Sequence, residues 1–255
     1  MTLVQIVLAT LAGGLLSVAL AALLGLTWLP RFADRMVAYA VGLMLATAFM
    51  GLLPEAIHLG LEAEQSGLVL LGGLLAFFLL EKLALWRHDH AQGGHASVAH
   101  AIDSAAKPQV SLIVLGDGLH NAVDGVLIAA AFLSEPALGW GTAVAVLAHE
   151  IPQELGDFMV LLSAGVTRGR ALALNALSGA AMVVGGVLGH AALQNAKAAL
   201  PYVLVLSAAS FVYIAIADLI PELHRRRGPR DVLAQAALLI GGLVTVQGLH
   251  HMAGH

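Results

Sequence analysis

The sequence predicts an all-α integral membrane protein of eight transmembrane helices, arranged 3+2+3 as an inverted repeat, with both termini outside. Three observations carry this reading. Of the 255 residues, 59% are hydrophobic and 11% charged, and the mean hydropathy is +0.88, beyond the balance of a soluble domain. Long apolar runs recur along the whole chain, and a helix needs about 20 such residues to cross ~30 Å of hydrocarbon. When the runs are threaded alternately through a bilayer, eleven of the twelve Lys and Arg fall on one face and only Lys197 on the other. Retention of positive loops at the cytoplasm makes that face the inner one.

The first run, 3–29, has no Lys or Arg ahead of it and is too long for a cleaved leader, so it reads as a true span. The second, 36–58, follows Arg31 and Arg35 and closes on Leu52-Leu53-Pro54-Glu55. The third, 67–86, ends beside Lys82 and Arg87. Residues 87–108 are polar, contain Gly93 and Gly94, and read as a mobile cytoplasmic loop. Its His88, His90, His95 and His100 are candidates for holding divalent metal transiently, against the plainer reading of a solvated linker. The fourth and fifth spans, 109–133 and 138–164, carry ionisable residues at mid-length. The sixth, 168–194, begins at Arg168 and Arg170; the seventh, 200–223, contains Leu219-Ile220-Pro221-Glu222; the eighth, 231–250, follows Arg225, Arg226, Arg227 and Arg230.

The Leu-Leu-Pro-Glu of span two lies near the outer face and the Leu-Ile-Pro-Glu of span seven near the inner one. Similar segments at opposite faces are what an inverted repeat leaves, relating spans one to three to spans six to eight around a central pair. Eight spans use roughly 160 to 190 residues, so 1–255 reads as a single transmembrane domain. The net charge of −4 gives no basis for a nucleic-acid partner, and the lack of cysteine excludes disulfides, thiolate metal sites and cysteine nucleophiles.

Polar residues concentrate on the central pair. Span four contains Asp117, His120, Asn121 and Asp124, and span five His149, Glu150, Gln153, Glu154 and Asp157. Helical geometry puts each set on one stripe, about 100° wide on span four and about 140° on span five. Five acids at mid-depth would cost ~12 to 18 kcal/mol facing lipid, so they face the bundle interior, water or a cation. Carboxylates, imidazoles and amides at i,i+4 spacing suit a divalent transition metal such as zinc, iron or manganese. Spacing draws two sets sharing Asp124: His120, Asp124, His149 and Gln153, and Asn121, Asp124, Glu150 and Glu154. Pro152 removes the hydrogen bond to the carbonyl of Ala148 and is expected to kink span five where it lines a cavity.

His149-Glu150 begins like a zinc-protease motif, but its second histidine position is Gln153 and Pro152 breaks the register. Intramembrane proteolysis is therefore set aside, and the chain is not expected to be an enzyme.

At HNAVDG on span four and HEIPQELGDF on span five the chain resembles the ZIP (Zrt/Irt-like) family of divalent metal transporters. The resemblance extends to the eight-span layout and the long loop after span three. It implies a binuclear centre between spans four and five, flux of zinc or a related metal towards the cytoplasm, homodimerisation, and a transport domain sliding against a scaffold. It places His120, Asp124, His149 and Gln153 at one site and Asn121, Asp124, Glu150 and Glu154 at its neighbour. Departures are Gln153, where many members have histidine, Gly51, where many have histidine before Leu-Leu-Pro, and Ser178, where some have a carboxylate. Fewer strong ligands would weaken the hold on the metal. Glu55 and His58 near the outer face, Asp218, Glu222 and His224 near the inner one, and Asp117, Asp157 and Ser178 by the stripes are candidate pathway or relay residues.

The expected protein is thus a multi-pass plasma-membrane (bacterial inner-membrane) permease. Its partners are divalent metal ions and the lipid bilayer, zinc or another transition metal is its substrate, and no organic cofactor is expected. The alternative is a membrane metal-binding or sensing protein without net transport.

Overall fold

The computed structural model describes residues 2–27, 29–92, 101–224 and 228–252, with side chains over 2–23, 35–80, 82–83, 110, 113–224, 228 and 230–249. Among them every regular element is helical. Helix α1 joins Thr2–Leu11, a π-helical stretch Ala12–Leu16 and Ser17–Thr27. Helix α2 joins Leu29–Ala46, the π-helical Thr47–Leu52 and Leu53–His58. Then come α3 (Ala63–Gln92), α4 (Ala101–Ser134), α5 (Pro136–Ser163) and α6 (Arg168–Leu193). A 3₁₀ turn, Lys197–Ala199, leads into α7, which joins Leu200–Ile214, the π-helical Ala215–Leu219 and Ile220–Leu223; α8 is Pro229–Met252.

Seven of these helices are long and apolar enough to cross a membrane. Helix α5 is not among them, because His149, Glu150, Gln153, Glu154 and Asp157 interrupt its apolar character. Helices α3 and α4 run further than the apolar stretches 67–86 and 109–133, so residues 87–92 and 101–108, expected in a loop, are helical. An apolar run measures the part of a helix that suits hydrocarbon, whereas Ala, Lys, Arg and Gln sustain a helix in water as well. The side chains of His88 and His90, and all of His95 and His100, lie outside the described residues.

The two Leu-x-Pro-Glu segments share a local structure. Each proline, Pro54 and Pro221, follows a π-helical stretch, Thr47–Leu52 in α2 and Ala215–Leu219 in α7. Proline has no N–H to give and its ring crowds the carbonyl four residues back. Widening the turn before it relieves the clash. Helix α5, by contrast, continues through Pro152 from Pro136 to Ser163.

Helices α1, α4, α5 and α6 pack as one group and α2, α3, α7 and α8 as another, with α2 against α5 and α7 against α4 between them. Leu43, Met44, Ile128, Leu204 and Phe211 are fully buried at the centre. Helices α3 and α8 are peripheral, with Leu68, Leu75, Leu79, Leu233 and Val244 exposed, as lipid-facing helices should be. Among the described glycines the closest approach is between α4 and α6. A Cβ on Gly125 would lie 2.0 Å from the carbonyl oxygen of Met182, and one on Gly185 would lie 1.9 Å from that of Ala122. Only glycine allows backbones so close, and this contact carries α6 up to the polar face of α4.

Candidate metal centre

Helices α4 and α5 are joined by Glu135 alone, held extended (φ −149°, ψ 133°) ahead of Pro136, the conformation a pre-proline residue favours. Pro136 then starts α5, where a missing N–H costs nothing. So short a connection makes the two helices antiparallel neighbours, and residues equidistant from it stand opposite each other. Asn121 lies 14 residues before Glu135 (135 − 121) and Glu150 lies 15 after it (150 − 135), so the two polar stripes meet.

Ionisable ligand atoms gather there in two groups, His120, Asp124, His149 and Glu150, and Asp117, Glu150 and Glu154, each with its atoms within 4.8 Å of one another. Glu150 belongs to both, whereas sequence spacing suggested Asp124 as the shared carboxylate. In the first group His149 Nε2 is 3.1 Å from Asp124 Oδ2 and 3.5 Å from Glu150 Oε1. His120 Nε2 is 3.4 Å from Glu150 Oε1 and 3.9 Å from Asp124 Oδ2. A tetrahedral ion with ~2.1 Å bonds to nitrogen and oxygen sets its ligands about 3.4 Å apart, so the observed separations bracket that edge.

These atoms close on one another without hydrogen bonding. His120 Nε2, His149 Nε2, both oxygens of Asp124 and both of Glu150 are buried and lack a hydrogen-bond partner, as are both oxygens of Glu154 and Asn121 Oδ1. Their side chains, His120 apart, are essentially inaccessible. Buried polar atoms are normally satisfied, and a convergent set of lone pairs is satisfied by a cation. The tautomer of His149 agrees, since its Nδ1 lies 3.1 Å from the carbonyl oxygen of Ala145. A ring nitrogen facing a carbonyl carries the proton, so in the neutral ring Nε2 is the lone pair that a metal would take. The His149 ring also sits edge-to-face with His120 at 5.7 Å and with Phe211 of α7 at 6.2 Å.

The second group is wired differently. Asp117 accepts from Asn121 Nδ2 at 3.0 Å and Gln153 Nε2 at 3.4 Å on one oxygen, and from Ser178 Oγ of α6 on the other. Asn175, also on α6 and not singled out by sequence, donates to the carbonyl oxygen of Glu154 at 3.0 Å. The signal for it was available as a second polar residue three positions before Ser178 in an apolar span. Asp157 is half-buried, past Glu154 along α5.

The remaining relay candidates stand apart. Glu55 accepts from Ser134 Oγ at the end of α4, and His58 Nδ1 lies 3.8 Å from its other oxygen. Asp218 lies in the π-helical part of α7, with Glu222 and His224 beyond it. Among the described residues, none of Glu55, His58, Asp157, Asp218, Glu222 and His224 joins either ligand group.

Comparison with known proteins covers the same region of the chain. The family described as ZIP Zinc transporter matches residues 87–249, which include both polar stripes. Zinc transporter ZIP10 of Homo sapiens is 35% identical over 150 residues, 57% of this chain and 18% of that protein. Zinc transporter foi of Drosophila melanogaster is 38% identical over 138 residues, 54% of this chain and 19% of that protein. Zinc transporter ZIP13 of Pongo abelii is 30% identical over 226 residues, 83% of this chain and 65% of that protein. The chain thus spans less than a fifth of the first two relatives and about two thirds of the third. With more than half its length matched, through the helices that carry the two ligand groups, the chain belongs to the ZIP zinc transporter family.

Proposed function

We propose that this protein is a transporter of divalent transition metal, with zinc as its foremost substrate, which moves the ion towards the cytoplasm through the site between α4 and α5. The observation that carries the reading is the convergence of buried, unpartnered acceptors from His120, Asp124, His149 and Glu150. Two carboxylates and two imidazoles offer two negative charges and four donor atoms, the complement of a tetrahedral divalent ion. The matched family and the relatives' names, all zinc transporters, support zinc as the cargo.

Helix α5 counts as the eighth span, its polar face turned to α4 and away from lipid, because intramembrane charge is tolerable only inside the bundle. Both termini then lie outside, and the basic residues support that orientation in a bacterial inner membrane. The shared π-helix-proline geometry of α2 and α7 supports the 3+2+3 inverted repeat. The whole chain acts as one transmembrane domain. Its two helix groups serve as a transport body (α1, α4, α5, α6) and a scaffold (α2, α3, α7, α8), which dimerises. Glu150 and Glu154 of the second ligand group, with Asn121 beside them, are a second metal position on the cytoplasmic side of the first, followed by Asp157. Glu55 and His58 serve entry, and Asp218, Glu222 and His224 serve exit.

The test is uptake into proteoliposomes across zinc, iron, manganese, cobalt and cadmium. Wild type accumulates zinc, and His120→Ala and Glu150→Ala abolish accumulation while remaining folded. Undiminished flux in both variants overturns the site. Stoichiometric binding with no accumulation by wild type turns the reading into that of a binding or sensing protein.

A further inference from the structure

The amide side chains beside the candidate metal centre raise a problem that the ligand groups alone do not solve. An amide binds a hard or borderline cation through its oxygen, yet its NH₂ end is almost the same shape and presents two donors. Left free in the bilayer core, Asn121 would sample both faces. Something must hold the nitrogen away from the cation.

We infer that Asp117 is the positioning residue that sets the amide orientation of Asn121, so that its oxygen and not its nitrogen faces the metal, with Gln153 as a supporting amide on the same carboxylate. The inference rests on the metal-site reading above. A carboxylate only accepts, so a neighbouring amide must turn its NH₂ end to it. Asn121 Nδ2 does so at 3.0 Å, and also donates to the Asp117 carbonyl oxygen at 3.2 Å; Gln153 Nε2 donates to the same Oδ1 at 3.4 Å. The other end of the Asn121 amide, Oδ1, is fully buried and has no hydrogen-bond partner. The reversed amide would put carbonyl oxygen against carboxylate and hydrogens against the cation, unfavourable at both ends.

Asp117 is itself held from a third helix. Ser178 Oγ donates to its second oxygen and also lies 3.0 Å from the carbonyl oxygen of Asn175. Ser178 Cβ lies 3.7 Å from where a side chain on Gly118 would begin. Both Asp117 oxygens are therefore engaged by donors, unlike those of Asp124, Glu150 and Glu154. This separates Asp117 from the carboxylates it is grouped with by distance. They present free lone pairs, and it presents spent ones.

The test is a charge-conserving swap. Outer partners of metal ligands typically set affinity by roughly 10- to 100-fold, so Asp117→Asn, in which residue 117 no longer discriminates the ends of the amide, weakens zinc binding by about that factor. Asn121→Asp places a carboxylate, which shows oxygen at either end, so the double variant Asp117→Asn/Asn121→Asp recovers affinity to within a few-fold of wild type. A double variant as weak as Asp117→Asn, or an Asp117→Asn protein that binds like wild type, overturns the inference. The chain has three asparagines, Asn121, Asn175 and Asn195, so infrared difference spectra of protein with ¹³C-labelled asparagine carbonyls are readable. Zinc shifts one labelled band in wild type, and that band is missing from Asn121→Asp; no such shift overturns the inference. Binding and infrared signals are read in detergent without transport, so loss of uptake by wild type would strike the transporter reading and leave this one standing.

Discussion

The two ligand groups share Glu150 and lie on the same pair of helices, yet Asp124 of the first and Asp117 of the second solve burial in opposite ways. Around Asp124 the only neighbours of the carboxylate oxygens among the described ligand atoms are imidazole nitrogens and a second carboxylate, with no amide or hydroxyl donor. Around Asp117 both oxygens are met by donors, with two amides and a hydroxyl converging on one carboxylate. The Asp124 arrangement is costly without a cation, whereas Asp117 is satisfied without one. A buried carboxylate is therefore not by itself evidence of a ligand, and what identifies one is the absence of any donor to its oxygens.

The contrast is broken most directly by zinc itself. Zinc at one hundred times its dissociation constant stabilises a one-site protein by about 2.7 kcal/mol, and Asp124→Asn removes that gain in thermal unfolding followed with and without the metal. A full zinc-dependent shift in Asp124→Asn would place the ion elsewhere. Without metal the two aspartates diverge in sign. Asp124→Asn relieves acceptor crowding and raises the apo midpoint by the equivalent of about 1 to 2 kcal/mol, whereas Asp117→Asn leaves donors unmatched and lowers it by about the same. Equal signs for the two would erase the distinction.

Ser178→Ala removes one donor from a charged acceptor, worth about 1.5 kcal/mol, and lowers zinc affinity several-fold in equilibrium titration while sparing the first group. The smallest effect belongs to Gln153→Leu. Its bond to Asp117 is long at 3.4 Å, so affinity falls by about twofold, and a larger loss would promote Gln153 from supporting amide to direct ligand.

Much of this was legible along each helix. The polar stripes of α4 and α5 follow from 3.6-residue periodicity, and the energetic case against lipid exposure needs only their residue types. The helix ends were less legible, because α3 and α4 continue into polar sequence that a hydropathy reading assigns to the loop. The partner of Asp117 was not legible at all. Sequence singled out Ser178 as the nearest polar residue of the sixth span, but nothing along the chain states that it touches Asp117, 61 residues away. That contact depends on how far α6 is rotated and how closely it approaches α4, which the Gly125 and Gly185 backbone contacts decide.

The sequence by itself determined that the chain is a charge-poor bundle of apolar helices with its intramembrane acids and histidines on two facing stripes, because periodicity and composition act within one helix at a time. Only the tertiary structure decided which carboxylates keep free lone pairs and which are occupied. Hydrogen bonding is settled over about 3 Å, and helices set to that tolerance are placed by the packing of every neighbour at once.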